Sequence, residues 1–282
     1  GNRIYLRVPL ASGDTLRFFT DTGGGPQPIL TVRAARRLGL PVDSADPKRF
    51  GRTAVPTLHP RTLVPAPAPD TALVSFNRQI NQYLGGDGLL GGRWHDGHVW
   101  TFDYLEEELL LRDSPKEVSF DPDHTTELAF ATDSTGRRVG HHPMVRAQVA
   151  DSSYSFLFDT GATTVLTDSA RAVLGGPRRR GTGFISASVF DRWRQAHPEW
   201  TVMKNASTLG EGYPMIKVPE VTIAGHTVGP VWFERRPARR FRQMARRTGQ
   251  PVRGALGGSL FRHFRITVDY PGGQAHFEKS AR

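Results

Sequence analysis

Phe18-Phe19-Thr20-Asp21-Thr22-Gly23 and Phe156-Leu157-Phe158-Asp159-Thr160-Gly161 are one pattern written twice in a chain of 282 residues. Each is an apolar run ending in Asp-Thr-Gly. Downstream of each lies a short apolar strand, Ile29-Leu30 or Val165-Leu166. A Thr then caps a small helix, Thr31 to Leu38 or Thr167 to Leu174, closed by Gly39 or Gly175. Further on, Gly88-Leu89-Leu90-Gly91-Gly92 leads to Phe102-Asp103-Tyr104, and Gly254-Ala255-Leu256-Gly257-Gly258 leads to Val268-Asp269-Tyr270 at the same offset. Even the preceding residues match, Thr101 and Thr267. Matched elements in one order argue for two copies of one unit.

Within each copy the pattern is mostly strand. Ile4 to Pro9 and Thr15 to Thr20 read as a hairpin around Ser12-Gly13-Asp14, as do Val145 to Ala150 and Ser155 to Phe158 around Asp151-Ser152-Ser153. The boundary is expected in Asp113 to Asp123, where Ser114-Pro115 and Asp121-Pro122-Asp123 supply turn chemistry. Two domains follow, 1–118 and 119–282. Comparing Asp21 to Gly88 with Asp159 to Gly254, the second copy holds about 28 extra residues. These are assigned to a helical insertion near 183–215 with a helix from Ala187 to Ala196, capped by Ser186 and ending before Pro198. The first copy instead has Pro56, Pro60, Pro65, Pro67 and Pro69, which predict extended chain outside any inner strand.

Two facing Asp-Thr-Gly turns have a chemical logic. Gly lets two backbones approach, Thr offers a hydroxyl to the opposing loop, and Asp brings a carboxylate to the meeting point. Two carboxylates in contact cannot both ionise. One then acts as base toward a water and the other as acid toward a carbonyl. These motifs resemble the retropepsin-like aspartic proteases, specifically bacterial members with two such domains in one chain, a pepsin-like pseudo-dimer. The resemblance spans nearly the whole sequence. It implies two pseudo-symmetric closed-barrel β domains with a cleft between them. It also implies an aspartic endopeptidase, with Asp21 and Asp159 as catalytic residues supported by Thr22, Gly23, Thr160 and Gly161. Leu89-Leu90-Gly91 and Ala255-Leu256-Gly257 match the motif that crosses beneath the catalytic loop. The alternative is a catalytically inactive peptide-binding module of the same fold.

The copies differ after the motif: Ala162-Thr163 follows Gly161, whereas Gly24-Gly25-Pro26 follows Gly23. Flaps of this family often carry an aromatic, yet Gly51 to Val74 contains none. Either the flap of the first copy is unusual or the insertion of the second copy supplies the lid, with Phe184, Phe190, Trp193 and Trp200 as candidates, although core packing is the expected role for most of them.

Composition narrows the remaining classes. There is no Cys, which removes disulfides, thiolate catalysis and Cys-type zinc sites, and no apolar run is long enough to span a bilayer. The net charge of +10 would suit a nucleic-acid partner, but 32 of 37 basic residues are Arg scattered through the chain. The cluster Arg235, Arg236, Arg239, Arg240, Arg242, Arg246 and Arg247 alternates with Ala238, Phe241, Met244 and Ala245, as on a solvated helix with a buried apolar side. A basic adaptor acting through that face is the least favoured class. Gly86, Gly88 and Gly91 satisfy a dinucleotide-loop spacing without the βαβ unit it needs. His95 with His98, and His141 with His142, are read as surface or turn histidines. No cofactor, metal or nucleic acid is expected. The expected partner is a peptide or protein substrate, the expected state a monomer, and an exported or periplasmic location is preferred to a cytoplasmic one.

Overall fold

The structure is a computed structural model and describes residues 2–46, 50–209 and 212–279, so residues 210 and 211 of the expected insertion lie outside the described residues. The hairpin pairs strand β1 (Tyr5–Pro9) with β2 (Thr15–Thr20). Then come β3 (Ile29–Thr31), α1 (Val32–Arg37), β4 (Asp43–Asp46), β5 (Phe50–Ala54) and β6 (Thr71–Ser75). Helix α2 (Arg78–Leu84), β7 (Gly88–Leu90), α3 (Gly92–His95), β8 (Val99–Asp103) and β9 (Glu108–Arg112) complete this segment. Two 3-10 turns, Pro115–Glu117 and Pro122–His124, lie where the boundary chemistry was read.

The later segment runs β10 (Thr125–Glu127), β11 (Met144–Val149), β12 (Ser152–Phe158), β13 (Thr163–Val165), α4 (Asp168–Leu174) and β14 (Arg179–Gly181). It continues β15 (Gly183–Ser186), α5 (Ala187–Ala196), β16 (Val202–Met203), β17 (Met215–Val218), β18 (Val221–Ile223) and β19 (His226–Val228). It ends β20 (Val231–Arg236), α6 (Ala238–Thr248), β21 (Gly254–Leu256), α7 (Gly258–Phe261), β22 (Phe264–Asp269) and β23 (Gln274–Lys279). The molecule is mostly β. No helix among the described residues is long and apolar enough to cross a membrane.

One pairing order occurs in both segments. The first sheet runs β1-β2-β7-β3-β6-β5-β4, and the second contains β11-β12-β21-β15-β20-β17-β16, with β18-β19 added beside β11. Pairing senses agree: β2 is parallel to β7 as β12 is to β21, and β3 is parallel to β6 as β15 is to β20. This order corrects the assigned correspondence. The place of β3 and α1 is taken by β15 and α5, not by Val165-Leu166 and the helix after Thr167. The largest extra piece is β13-α4-β14, since 23 residues separate Asp159 from Gly183 but only 7 separate Asp21 from Ile29, whereas the β18-β19 hairpin takes the place of the longer Pro-rich stretch 55–70 and adds no length. Residues 183–215 therefore include interior strands of the second sheet. Local pattern misled because Thr31, Thr167 and Ser186 all cap helices, accepting from the amides of Ala34, Ala170 and Val189.

The closed barrels are not found: among the described residues the end strands β1 and β4, and β16 and β19, do not pair with each other. Closure needs the two end strands of a sheet to meet at a fixed stagger, and here β1 and β4, like β16 and β19, stay at opposite edges of their sheets. A third sheet, β10-β23-β22-β8-β9, mixes both segments. At its centre Thr101 stands opposite Thr267, their hydroxyls 2.9 Å apart, with Phe102 opposite Ile266 and Trp100 opposite Val268. Matched residues of the two copies thus face each other, the register of an isologous contact. One apolar cluster continues across it, including Phe18, Leu90 and Phe102 from the first segment and Phe158, Phe261 and Ile266 from the second.

Several single-residue expectations are settled here. Phe184, Phe190 and Trp193 are buried, and Trp200 stacks on His197 at 4.1 Å, so they form core rather than a lid. Phe241 turns the apolar side of α6 inward against Phe184. His95 is not a surface residue. It is fully buried among Trp94, Trp100, Phe102 and Tyr270, and burial pushes its pKa down to about 3. His142 is buried as well.

Candidate active site

Parallel pairing of a strand with a Gly-led β strand brings each Asp-Thr-Gly loop to its position. Asp21 N donates to Leu90 O at 3.0 Å, and Asp159 N donates to Leu256 O at 2.9 Å. Both loops then make the same turn, Gly24 N to Asp21 O at 3.0 Å and Ala162 N to Asp159 O at 3.1 Å. Gly24 therefore stands where Ala162 stands, and the unusual first loop keeps the turn of the second.

The threonines lock the loops together. Thr22 N donates to Thr160 Oγ1 at 3.1 Å and Thr160 N donates to Thr22 Oγ1 at 3.0 Å. Thr22 Oγ1 in turn donates to Phe158 O at 2.7 Å. Each glycine packs against the other loop's acid: a Cβ on Gly23 would lie 2.6 Å from Asp159 Cγ, and one on Gly161 would overlap the carboxyl group of Asp21. All six residues singled out in the sequence thus converge.

Asp21 and Asp159 are both buried, 9% and 6% exposed as residues. Burial raises the pKa of Asp21, while the hydrogen bond with Asp159 and the Gly23 amide on Oδ1 (3.0 Å) pull it back. Burial, followed by the charge of Asp21 and the hydrogen bond between the carboxyls, raises Asp159 well above the ordinary carboxylate range. The two carboxyls share one proton, which the pair retains above the ordinary carboxylate range. Asp159 Oδ1 is buried without a hydrogen-bond partner in the protein.

Three supporting side chains were missed in the sequence. Tyr83 Oη, from α2, donates to Gly161 O at 2.7 Å, and His142 Nε2 contacts Gly24 O at 2.9 Å. Each loop is thus braced by a side chain from the opposite segment. Arg236 Nη2 donates to Thr163 O at 2.8 Å while its Nε pairs with the buried Glu234 at 2.7 Å. The His141-His142 dipeptide was visible as a pair but carried no sign of its partner. Tyr83 sits in unremarkable helix sequence, and Arg236, read with its neighbours as part of a solvated helical face, lies instead at the end of β20 with its side chain largely buried.

No family model matches the chain, and no curated protein matches it. Among solved structures, a retropepsin-like aspartic protease from Rickettsia conorii is similar to 57% of this chain and 94% of its own, at 15% identity and a TM-score of 0.32. So distant a likeness carries no functional weight, which rests on the geometry of the loops.

Proposed function

We propose that the chain is an aspartic endopeptidase of retropepsin-like type, built from two pseudo-symmetric halves and acting as a monomer on peptide or protein. What supports this is one observation: two buried carboxyl groups, one from each Asp-Thr-Gly loop, are each held against the other loop's glycine by reciprocal Thr22 and Thr160 hydrogen bonds.

In this reading a water bound between the acids is the nucleophile. Ionised Asp21 takes a proton from the water as its oxygen bonds to the scissile carbonyl carbon, and Asp159 gives its proton to the carbonyl oxygen. The tetrahedral intermediate collapses as the carbon–nitrogen bond breaks. Asp21 passes its proton to the leaving amine, and Asp159 recovers one from the intermediate's hydroxyl. Both acids end as they began. Because Asp159 holds its proton above the usual carboxylate range, activity should extend toward neutral pH.

The test is mass spectrometry of a diverse peptide mixture incubated with wild type and with Asp159→Asn from acidic to neutral pH. Products formed only by wild type support the protease. No products from a folded wild-type sample at any pH would overturn it and favour the peptide-binding alternative.

A further inference from the structure

Away from the dyad, corresponding positions in the two segments carry opposite charge. In the first, Asp87 N donates to Arg17 O at 2.7 Å and Thr31 N donates to Asp87 O at 2.8 Å. In the second, Arg253 N donates to Ser155 O at 3.3 Å and Ser186 N donates to Arg253 O at 3.0 Å. Asp87 and Arg253 are thus equivalent, as are Arg17 and Ser155. Helices α1 and α5 begin after the equivalent caps Thr31 and Ser186, so Arg37 and Arg192, each six residues on, are equivalent too.

In the first segment this corner closes on itself. Arg37 Nη1 meets Asp87 Oδ1 at 3.0 Å, and the other Asp87 oxygen accepts from Arg17 N at 2.9 Å. In the second segment the acid is replaced by Arg253. Arg192 and Arg253 there line a cavity of about 340 Å³ with Arg146, Ser153, Tyr154 and Ser155, and no acidic side chain lines it. Among the described residues no carboxylate lies within ion-pair distance of Arg146, Arg192 or Arg253. Register sets the cluster: Arg146 stands opposite Ser155, which lies beside Arg253. The cavity is separate from the dyad, since Arg253 precedes Gly257 by four residues, about 13 Å of strand.

We propose that this cavity is a docking site for an acidic peptide segment, whose side-chain carboxylate takes the part that Asp87 plays in the other half. Three guanidinium groups supply forked donors suited to an oxyanion, and the serine hydroxyls supply further donors. A planar carboxylate is the group the equivalent corner already accepts.

The experiment is fluorescence anisotropy with a labelled Glu-rich peptide and its Gln counterpart, using wild type and Arg253→Asp. The substitution installs the acid of the first segment and should pair with Arg192, so its melting temperature should match or exceed that of wild type. Wild type should bind the Glu peptide in a salt-sensitive way and ignore the Gln peptide. Arg253→Asp should weaken binding about tenfold or more. Arg192→Gln, a second variant should the first fail to fold, should weaken it several-fold. Arg246→Glu on α6 should leave it within about twofold. Inorganic phosphate should compete. Equal binding by Arg253→Asp, equal binding of the Gln peptide, loss of binding only in the α6 variant, or binding of phosphate without the Glu peptide would each overturn the proposal.

Discussion

The first Asp-Thr-Gly loop and the second make the same turn with different supports. After Gly161 the second loop has its own hydroxyl: Thr163 Oγ1 donates to Gly161 O at 2.9 Å, and Arg236 anchors Thr163 O. The first loop continues Gly24-Gly25-Pro26 and has no such hydroxyl. Its Gly24 carbonyl is held by Gly92 N at 3.3 Å and by His142, which comes from the other segment. A loop that has lost local support can keep its geometry if a partner surface supplies it. Here a buried imidazole from the other segment holds Gly24 O, whereas the equivalent Ala162 O accepts the backbone Thr182 N at 2.9 Å, which makes the first loop the more sensitive to acid.

The largest break in this comparison should come from the acids. Asp159→Asn is expected to lower turnover by roughly 10³-fold or more, measured on any peptide that wild type cleaves. The same substitution should raise stability at neutral pH. A carboxyl whose folded pKa lies above its unfolded value contributes most at low pH and less as pH rises toward that folded value. Melting curves of Asp159→Asn should therefore exceed those of wild type near pH 7 and converge with them in strong acid.

Next in size are the glycines. Gly23→Ala and Gly161→Ala should each cost about 1–3 kcal/mol in denaturant unfolding through overpacking against the opposite acid. Gly161→Ala should be the worse, because its Cβ would overlap Asp21 more deeply.

The braces should separate the loops most sharply. His142→Ala is expected to cost about 1–3 kcal/mol, since it leaves Gly24 O with one long hydrogen bond, whereas Tyr83→Phe leaves Gly161 O still bonded to Thr163. Burial lowers His142 to about 4. The unfolded chain takes up that proton below about 6.5 and the folded chain does not, so this part of wild-type stability drains away as pH falls from about 6.5 to 4. The stability gap between wild type and His142→Ala should narrow over that range, and a gap constant with pH would contradict the brace. Thr163→Val is the smallest expected effect, about 1 kcal/mol confined to the second loop.

Much of this was legible from residues alone. The paired motifs, both hairpins and all three capped helices are local patterns, and the matched Thr101 and Thr267 proved to be direct partners across the shared sheet. What escaped was non-local. Val165-Leu166 followed by a Thr-capped helix has the same local chemistry as Ile29-Leu30 and its helix, and only the pairing of β15 with β20 and β21 shows which one sits in the sheet. Tyr83 and His142 act across the interface between segments, and no spacing along the chain encodes that contact. His95 was misread because polarity suggested surface, while its Nδ1 finds Gly91 O at 3.1 Å inside an aromatic core.

The central claim is that two halves of one chain hold two carboxyl groups sharing a proton. The direct measurement is a carbon-13 NMR titration of aspartate carboxyls in wild type and Asp159→Asn. The account predicts a wild-type carboxyl titrating well above the ordinary value of 3.8, and its disappearance in the variant. Ordinary titration of every aspartate in wild type would contradict it.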